Sequence, residues 1–154
     1  MKKLEIEKRY LIKRLPKDIK WNDVQVIEQY YSKNGRFRRT ATLKGVEYFK
    51  TLKKTISEGV NEEIETIITS SQFAKEIKSA TKKISKTRFV KKTGKLKWEV
   101  DVFDRLVIAE IELPTKKDLK TVKLPKFIKD LLILDITPIK AFSNFNIADT
   151  IKKK

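Results

Sequence analysis

The chain has 154 residues, enough for one domain with a real core, and it carries no cysteine and no histidine. That excludes disulfides, thiolate or imidazole metal sites and histidine acid–base catalysis; a bound metal would need oxygen ligands, which suits Mg²⁺, Mn²⁺ or Ca²⁺. A formal charge of +17, from 37 Lys and Arg against 20 Asp and Glu, implies a polyanionic partner such as nucleic acid, polyphosphate or nucleotide, or else a lysine-rich composition with no such partner.

Most of the chain reads as strands. Period-two alternation with β-branched and aromatic enrichment predicts them over residues 3–13, 24–32, 36–43, 46–55, 60–69, 84–92, 95–103 and 106–113. Asn34-Gly35 and Thr93-Gly94 are hairpin signals, Ser57-Glu58-Gly59 a longer turn and Asp104-Arg105 a tight one. A helix is expected over 70–82, capped at Ser70-Ser71, with Phe73, Ile77 and Ala80 at helical spacing. Another is expected over 125–133, opened by Pro125, and a last one over 143–151 behind Ser143 or Asn144. The run Lys152 to Lys154 reads as a frayed end. Mainly β, with two or three short helices, the chain fits a closed antiparallel barrel or a strongly curled sheet in a single domain, 1–154. It holds no signal peptide and no apolar span, so a cytoplasmic protein without a membrane partner is expected, as monomer or homodimer.

The strands share an unusual sidedness. Residues i and i+2 lie on one face of a strand. Glu5 and Glu7 in LEIEKRY share a face with Arg9, opposite Leu4, Ile6 and Tyr10. Glu63 and Glu65 pair in EEIET, Glu99 and Asp101 in WEVDVF, and Glu110 and Glu112 in AEIEL. Basic strands repeat the pattern: Arg36 with Arg38, Lys86 with Arg88, and Lys53 beside Thr51. One such pair is an ordinary wet strand face. Recurrence, with sign sorted by strand, points to charged faces turned into the barrel and apolar faces turned out. Burying that many charges is costly unless they are paired, hydrated or metal-bound. Carboxylates could then hold divalent cations, and arginines could grip phosphate in bidentate fashion.

In this order the pieces resemble the signatures of the CYTH superfamily, the triphosphate tunnel metalloenzymes. EIEKR is similar to ExExK, RFR to RxR, TLK to TxK, EIE to ExE, KTR to KxR, WEVDVF to ExD and AEIEL to the closing ExE. ITPIKAFSNFNIA is similar to the family's C-terminal ending, with Lys140 at its lysine. The resemblance implies an eight-stranded antiparallel tunnel with the helices outside, a triphosphate substrate and Mg²⁺ or Mn²⁺. By motif it implies Glu5, Glu7, Glu63, Glu65, Asp101, Glu110 and Glu112 as metal-binding carboxylates. Arg36, Arg38, Lys53, Lys86, Arg88 and Lys140 become the phosphate grip, and Glu5, Glu7, Arg9 and Glu112 the catalytic set. The chain departs from the pattern at Arg9 (family lysine), Asn61 and Ala141 (family arginines) and in a short loop after Phe103. An arginine cannot deprotonate to activate water. Lys8 is adjacent but on the other face. The expected activity is metal-dependent hydrolysis of tripolyphosphate or a nucleoside triphosphate. The alternatives are a class IV adenylate cyclase, an RNA 5′-triphosphatase with the RNA 5′ end as partner, and a non-catalytic polyphosphate or nucleotide binder.

Overall fold

A computed structural model describes residues 2–151; the terminal lysine run lies outside the described residues. Eight antiparallel strands close into a barrel. They are β1 (Lys2–Ile12), β2 (Asp23–Ser32), β3 (Gly35–Thr42), β4 (Gly45–Ser57), β5 (Val60–Ile68), β6 (Lys82–Thr93), β7 (Leu96–Val102) and β8 (Val107–Glu112). Around the wall the order is β6-β2-β3-β4-β5-β1-β8-β7, and pairing of β6 with β7 closes the ring.

Each strand falls within a few residues of its sequence expectation; the helical segments depart from theirs. The predicted helix at 70–82 is α1 (Ser70–Glu76) followed by a 3₁₀ turn, Ile77–Ser79, and β6 then begins at Lys82. Thr69 caps α1, accepting from Gln72 N while Gln72 Oε1 accepts from Thr69 N. Of the expected helix at 125–133 only α2 (Lys126–Lys129) is helical. The run Leu132–Asp135 is instead a ninth strand, β9, on the edge of β1. A short apolar run suits either state, and here the free edge of β1 decides. The last helix is the single turn α3 (Asn144–Ile147), capped by Ser143, before β10 (Asp149–Thr150) pairs with β6.

The alternation sends the apolar faces outward, so the main core lies outside the barrel wall. Ile6, Tyr10 and Ile12 of β1, Trp98 and Val100 of β7, and Ala109 and Ile111 of β8 form one buried cluster with Leu113, Ile128 and Leu131. The segment after β8 covers it with Leu119, Val122, Leu124 and Phe127. α1 covers the other flank: Phe73 meets Tyr30 of β2 and Tyr48 of β4 at ring separations of 5.7 and 5.0 Å. Inside, two isoleucines fill the floor. Ile27 shares a face with Gln29, and Ile108 with Glu110. Both are fully buried.

One glycine is demanded by its surroundings. Gly59 turns from β4 to β5 at φ +72°, and its carbonyl accepts from Glu7 N at 2.8 Å. A Cβ there would stand 2.7 Å from Glu7 O and 3.0 Å from Leu119 Cδ2. Gly94 has a similar φ of +62° with no atom within 4 Å of such a Cβ. Gly94→Ala should therefore cost about 1 kcal/mol from the left-handed backbone alone. Gly59→Ala should cost about 2–4 kcal/mol, the backbone term plus overpacking against β1. Urea midpoints of the two variants test this, and equal losses would mean the turn relaxes freely.

Candidate active site

The inward strand faces enclose a cavity of about 1100 Å³. Every residue expected in the site lines it except Glu65 and Asp101. The walls divide by sign. β1 and β8 contribute Glu5, Glu7, Glu110 and Glu112, and β7 adds Glu99. β3, β4 and β6 contribute Arg36, Arg38, Lys53, Lys86 and Arg88. Cross-strand register sets Glu7 opposite Glu112 and Glu99 opposite Glu110, like charges that repel unless a cation stands between them.

The deepest point is an ion triad. Asp101, with no exposure, lies 2.8 Å from Lys86 Nζ and accepts from Arg88 Nε and Nη2 at 2.8 and 3.0 Å. Burial alone would push the carboxyl up, but the Arg88 and Lys86 charges override it and hold Asp101 well below the usual range. Burial pushes Lys86 down to about 8, against the pull of Asp101. Asp101 thus sits beneath the cavity and braces two cations that face it. Glu65 has a similar place in the cationic wall, 3.5 Å from Arg38 Nη2 and 3.3 Å from Thr51 Oγ1, which donates to it.

Lys53 is the only described cation within ion-pair reach of Glu5 and Glu7, at 2.9 and 3.7 Å. Burial would raise Glu5, yet Lys53 keeps it below its ordinary value. Glu7 goes the other way: burial, then the charges of Glu110 and Glu5, raise it to about 7. Glu63 also rises to about 7, from burial and the charge of Glu5. Among the described residues no three carboxylates converge as a preformed metal centre. The donor set is nonetheless all oxygen, and burial together with neighbouring carboxylates raises two of its members, Glu7 and Glu63. Mg²⁺ or Mn²⁺ fits that chemistry.

Two donors are left unmet: Arg36 Nε and Arg38 Nε are buried without a hydrogen-bond partner among the described residues. Arg36 otherwise reaches only Thr51 Oγ1 at 3.2 Å and the rim of Glu65 at 3.9 Å. Arg9 is the opposite case. Its Nε donates to Glu110 Oε1 at 3.2 Å, Nη1 to Phe142 O at 2.9 Å and Nη2 to Asn144 Oδ1 at 3.3 Å. It ties β1 to the segment that crosses from β9 to β10 and brings Lys140 and Asn144 to the cavity wall. Lys8 points outward to Asp135, as its parity requires.

Gln29, Tyr31, Thr51, Glu99 and Asn144 also line the cavity and were not among the expected site residues. Glu99 was legible as the i−2 partner of Asp101. Gln29 and Tyr31 carried no charge signal, since β2 presents its uncharged face inward. Tyr31 accepts from Gln29 Nε2 at 3.0 Å and meets Phe145 edge-on at 5.4 Å.

The closed antiparallel tunnel is the fold of the CYTH-type triphosphate tunnel proteins, and this chain has that fold. The inorganic triphosphatase NE1496 superposes with a TM-score of 0.61 at 25% identity, over 94% of this chain and 93% of its own. PH1012 from Pyrococcus horikoshii OT3 gives 0.59 at 16% identity, over 76% and 84%. HpAC1 from Hippeastrum, whose dominant activity is that of a triphosphatase, gives 0.51 at 14%, over 76% and 83%. No family model and no curated protein matches the sequence.

The raised carboxyls have a pH consequence. Above the ordinary carboxylate range the unfolded chain has lost protons that native Glu7 and Glu63 still hold. Their contribution is full below about pH 4.5 and is lost as pH rises towards about 7. In metal-free buffer the melting temperature should therefore fall between about pH 5 and about pH 7.5. Glu7→Gln should remove roughly 2–3 kcal/mol of that decline. Melting curves across this range check it; a stability that rises with pH would show that Glu7 is ionised throughout.

Proposed function

We propose that the tunnel binds a linear triphosphate and hydrolyses one of its phosphoanhydride bonds, with inorganic tripolyphosphate as substrate and Mg²⁺ or Mn²⁺ as metal. The observation that carries this reading is the unmet donor set. Arg36 Nε and Arg38 Nε are buried, cationic and without hydrogen-bond partners among the described residues. Leaving such groups unsatisfied costs about 1–3 kcal/mol each, more for charged ones, and phosphate oxygens would recover that cost. The similarity to the inorganic triphosphatase NE1496 supports the same class of substrate. Seven of the eight barrel strands turn a charged side chain into the cavity, which suits a bare phosphate chain better than a nucleobase.

In this reading Arg36 and Arg38 grip the phosphate chain from β3, and Lys53 and Arg88 complete the grip. Arg88 is held in place by Asp101 and by Glu99 at 3.1 Å. Glu5, Glu7, Glu110 and Glu112 would hold the metal, which supplies charge neutralisation and an acidified water when bound. Lys53, now paired with Glu5 and Glu7, would be free to reach phosphate if those carboxylates held a metal. Lys3, 3.1 Å from Glu112, and Arg9, on Glu110, orient the β8 pair. With three of its donors engaged, Arg9 acts through Glu110 and the mouth segment and takes no proton from water. The grip cations neutralise charge building on the transferred phosphoryl group and on the leaving oxygen.

Tripolyphosphate should raise the melting temperature even without metal, and release of orthophosphate should require Mg²⁺ or Mn²⁺. Glu5→Gln and Glu112→Gln should each lower kcat by about 10²-fold or more. Arg38→Ala should abolish the thermal shift. Release that is equal in wild type and both glutamine variants would remove the assignment. Cyclic AMP from ATP would move the chemistry from hydrolysis to cyclisation.

A further inference from the structure

The net charge is not where the chemistry is. Eight cations and nine acids line the tunnel or stand in its wall, which leaves it close to neutral. The excess lies on the outer surface, and unevenly. Three stretches, residues 13–22, 91–97 and 116–130, carry fourteen Lys and Arg against Asp18, Asp118 and Asp130. The rest of the described outer surface carries twelve cations against eight acids.

These stretches are remote in sequence but joined in space. Lys13 N donates to Leu131 O at 2.9 Å, and Trp21 meets Phe127 edge-on at 6.4 Å and Phe89 at 5.5 Å. Lys91 Nζ donates to Lys20 O at 3.0 Å, and Lys92 N to Asn22 Oδ1 at 2.7 Å. Across a groove of about 560 Å³ the β6–β7 turn, with Lys95, faces Lys123 and Pro125. All fourteen cations are exposed except Lys91, which is partly so. Among the described residues only Lys126 of the fourteen forms an ion pair, with Asp130. Asp118 is spent on Thr115, accepting from its N and Oγ1. Elsewhere pairing is common: Lys2 with Glu62, Lys8 with Asp135, and Arg39 and Lys83 with Glu28.

We infer that this outer face is a docking surface for the phosphodiester backbone of a nucleic-acid strand, separate from the tunnel. Some dozen unpaired ammonium groups on one face repel one another and gain by releasing the counterions of a polyanion. All but Arg14 are lysines, flexible point charges that follow a phosphate backbone without fixed geometry and without reading sequence. The face offers nothing to insert into a bilayer. None of the exposed large apolar side chains described, such as Leu43, Ile67 or Phe145, falls in these stretches.

The test is fluorescence anisotropy with a 20-nucleotide uridine RNA bearing a 5′-hydroxyl, which has no triphosphate to engage the tunnel. Affinity should fall steeply between about 50 and 200 mM salt, with a log–log slope of about −4 for some six phosphates. The triple variant Lys92→Glu, Lys95→Glu, Lys123→Glu should bind at least about tenfold more weakly and lose about 2 of that slope. Lys116→Glu, Lys117→Glu, Lys120→Glu should do the same from another stretch. A charge-matched control, Lys44→Glu, Lys75→Glu, Lys78→Glu, should change affinity by less than about threefold. Equal weakening by control and face variants would reduce the effect to net charge and overturn the proposal. So would salt-insensitive binding, or tighter binding to phosphatidylserine vesicles at the same salt.

Discussion

Asp101 has no exposed surface and faces Lys86 and Arg88 at 2.8 Å each. A carboxylate taken fully out of water costs several kcal/mol unless its charge is answered, and here it is answered twice. The answer exists only because β6 lies beside β7 with Arg88 opposite Asp101, the pairing that closes the barrel. A slip of one residue would turn Val100 inward and leave the two cations alone in the floor. Ring closure, strand register and the inward turn of every charged face are thus one constraint seen at three scales.

From that constraint the rest of the architecture follows. Once the charged faces line the interior, the apolar faces must be covered from outside. The chain after β8 supplies that cover with Leu119, Val122, Leu124 and Phe127, and α1 supplies it on the far flank with Phe73. The same segment then returns across the barrel from β9 to β10 and is fastened there by Arg9. A residue of the interior therefore holds the outer wrapping in place. The tunnel stays near neutrality with its charges unevenly met: carboxylates crowded on β1 and β8, guanidinium donors unpartnered on β3.

Legibility along the chain was uneven for physical reasons. Wherever a strand carried a like-charged pair at i and i+2, its face and its place in the tunnel could be read directly, as for Arg36 and Arg38 or Glu110 and Glu112. β2 carries no such pair inward, so Gln29 and Tyr31 gave no sign of lining the cavity. The run LILD, residues 132–135, has the hydropathy of a helix end or of a strand, and only the open edge of β1 selects the strand. Two residues, Asp149 and Thr150, make β10, too few for any periodicity to register. The motif places Arg9 in the row of Glu5 and Glu7, but not its partners Phe142 and Asn144, which lie more than a hundred residues away.

The amino-acid order by itself determined sidedness: which residues of each strand share a face and which sign that face carries, because alternation is a local property of the extended backbone. It also determined the exclusions, since a chain without cysteine or histidine offers only oxygen to a metal. Partnership was decided by the closed sheet alone. That Lys53 serves Glu5, that Asp101 is consumed by bracing cations, and that Arg9 fastens the mouth all depend on distances between strands far apart in sequence. Buried electrostatics is set by those distances and by the water they exclude, and neither is written in any single strand.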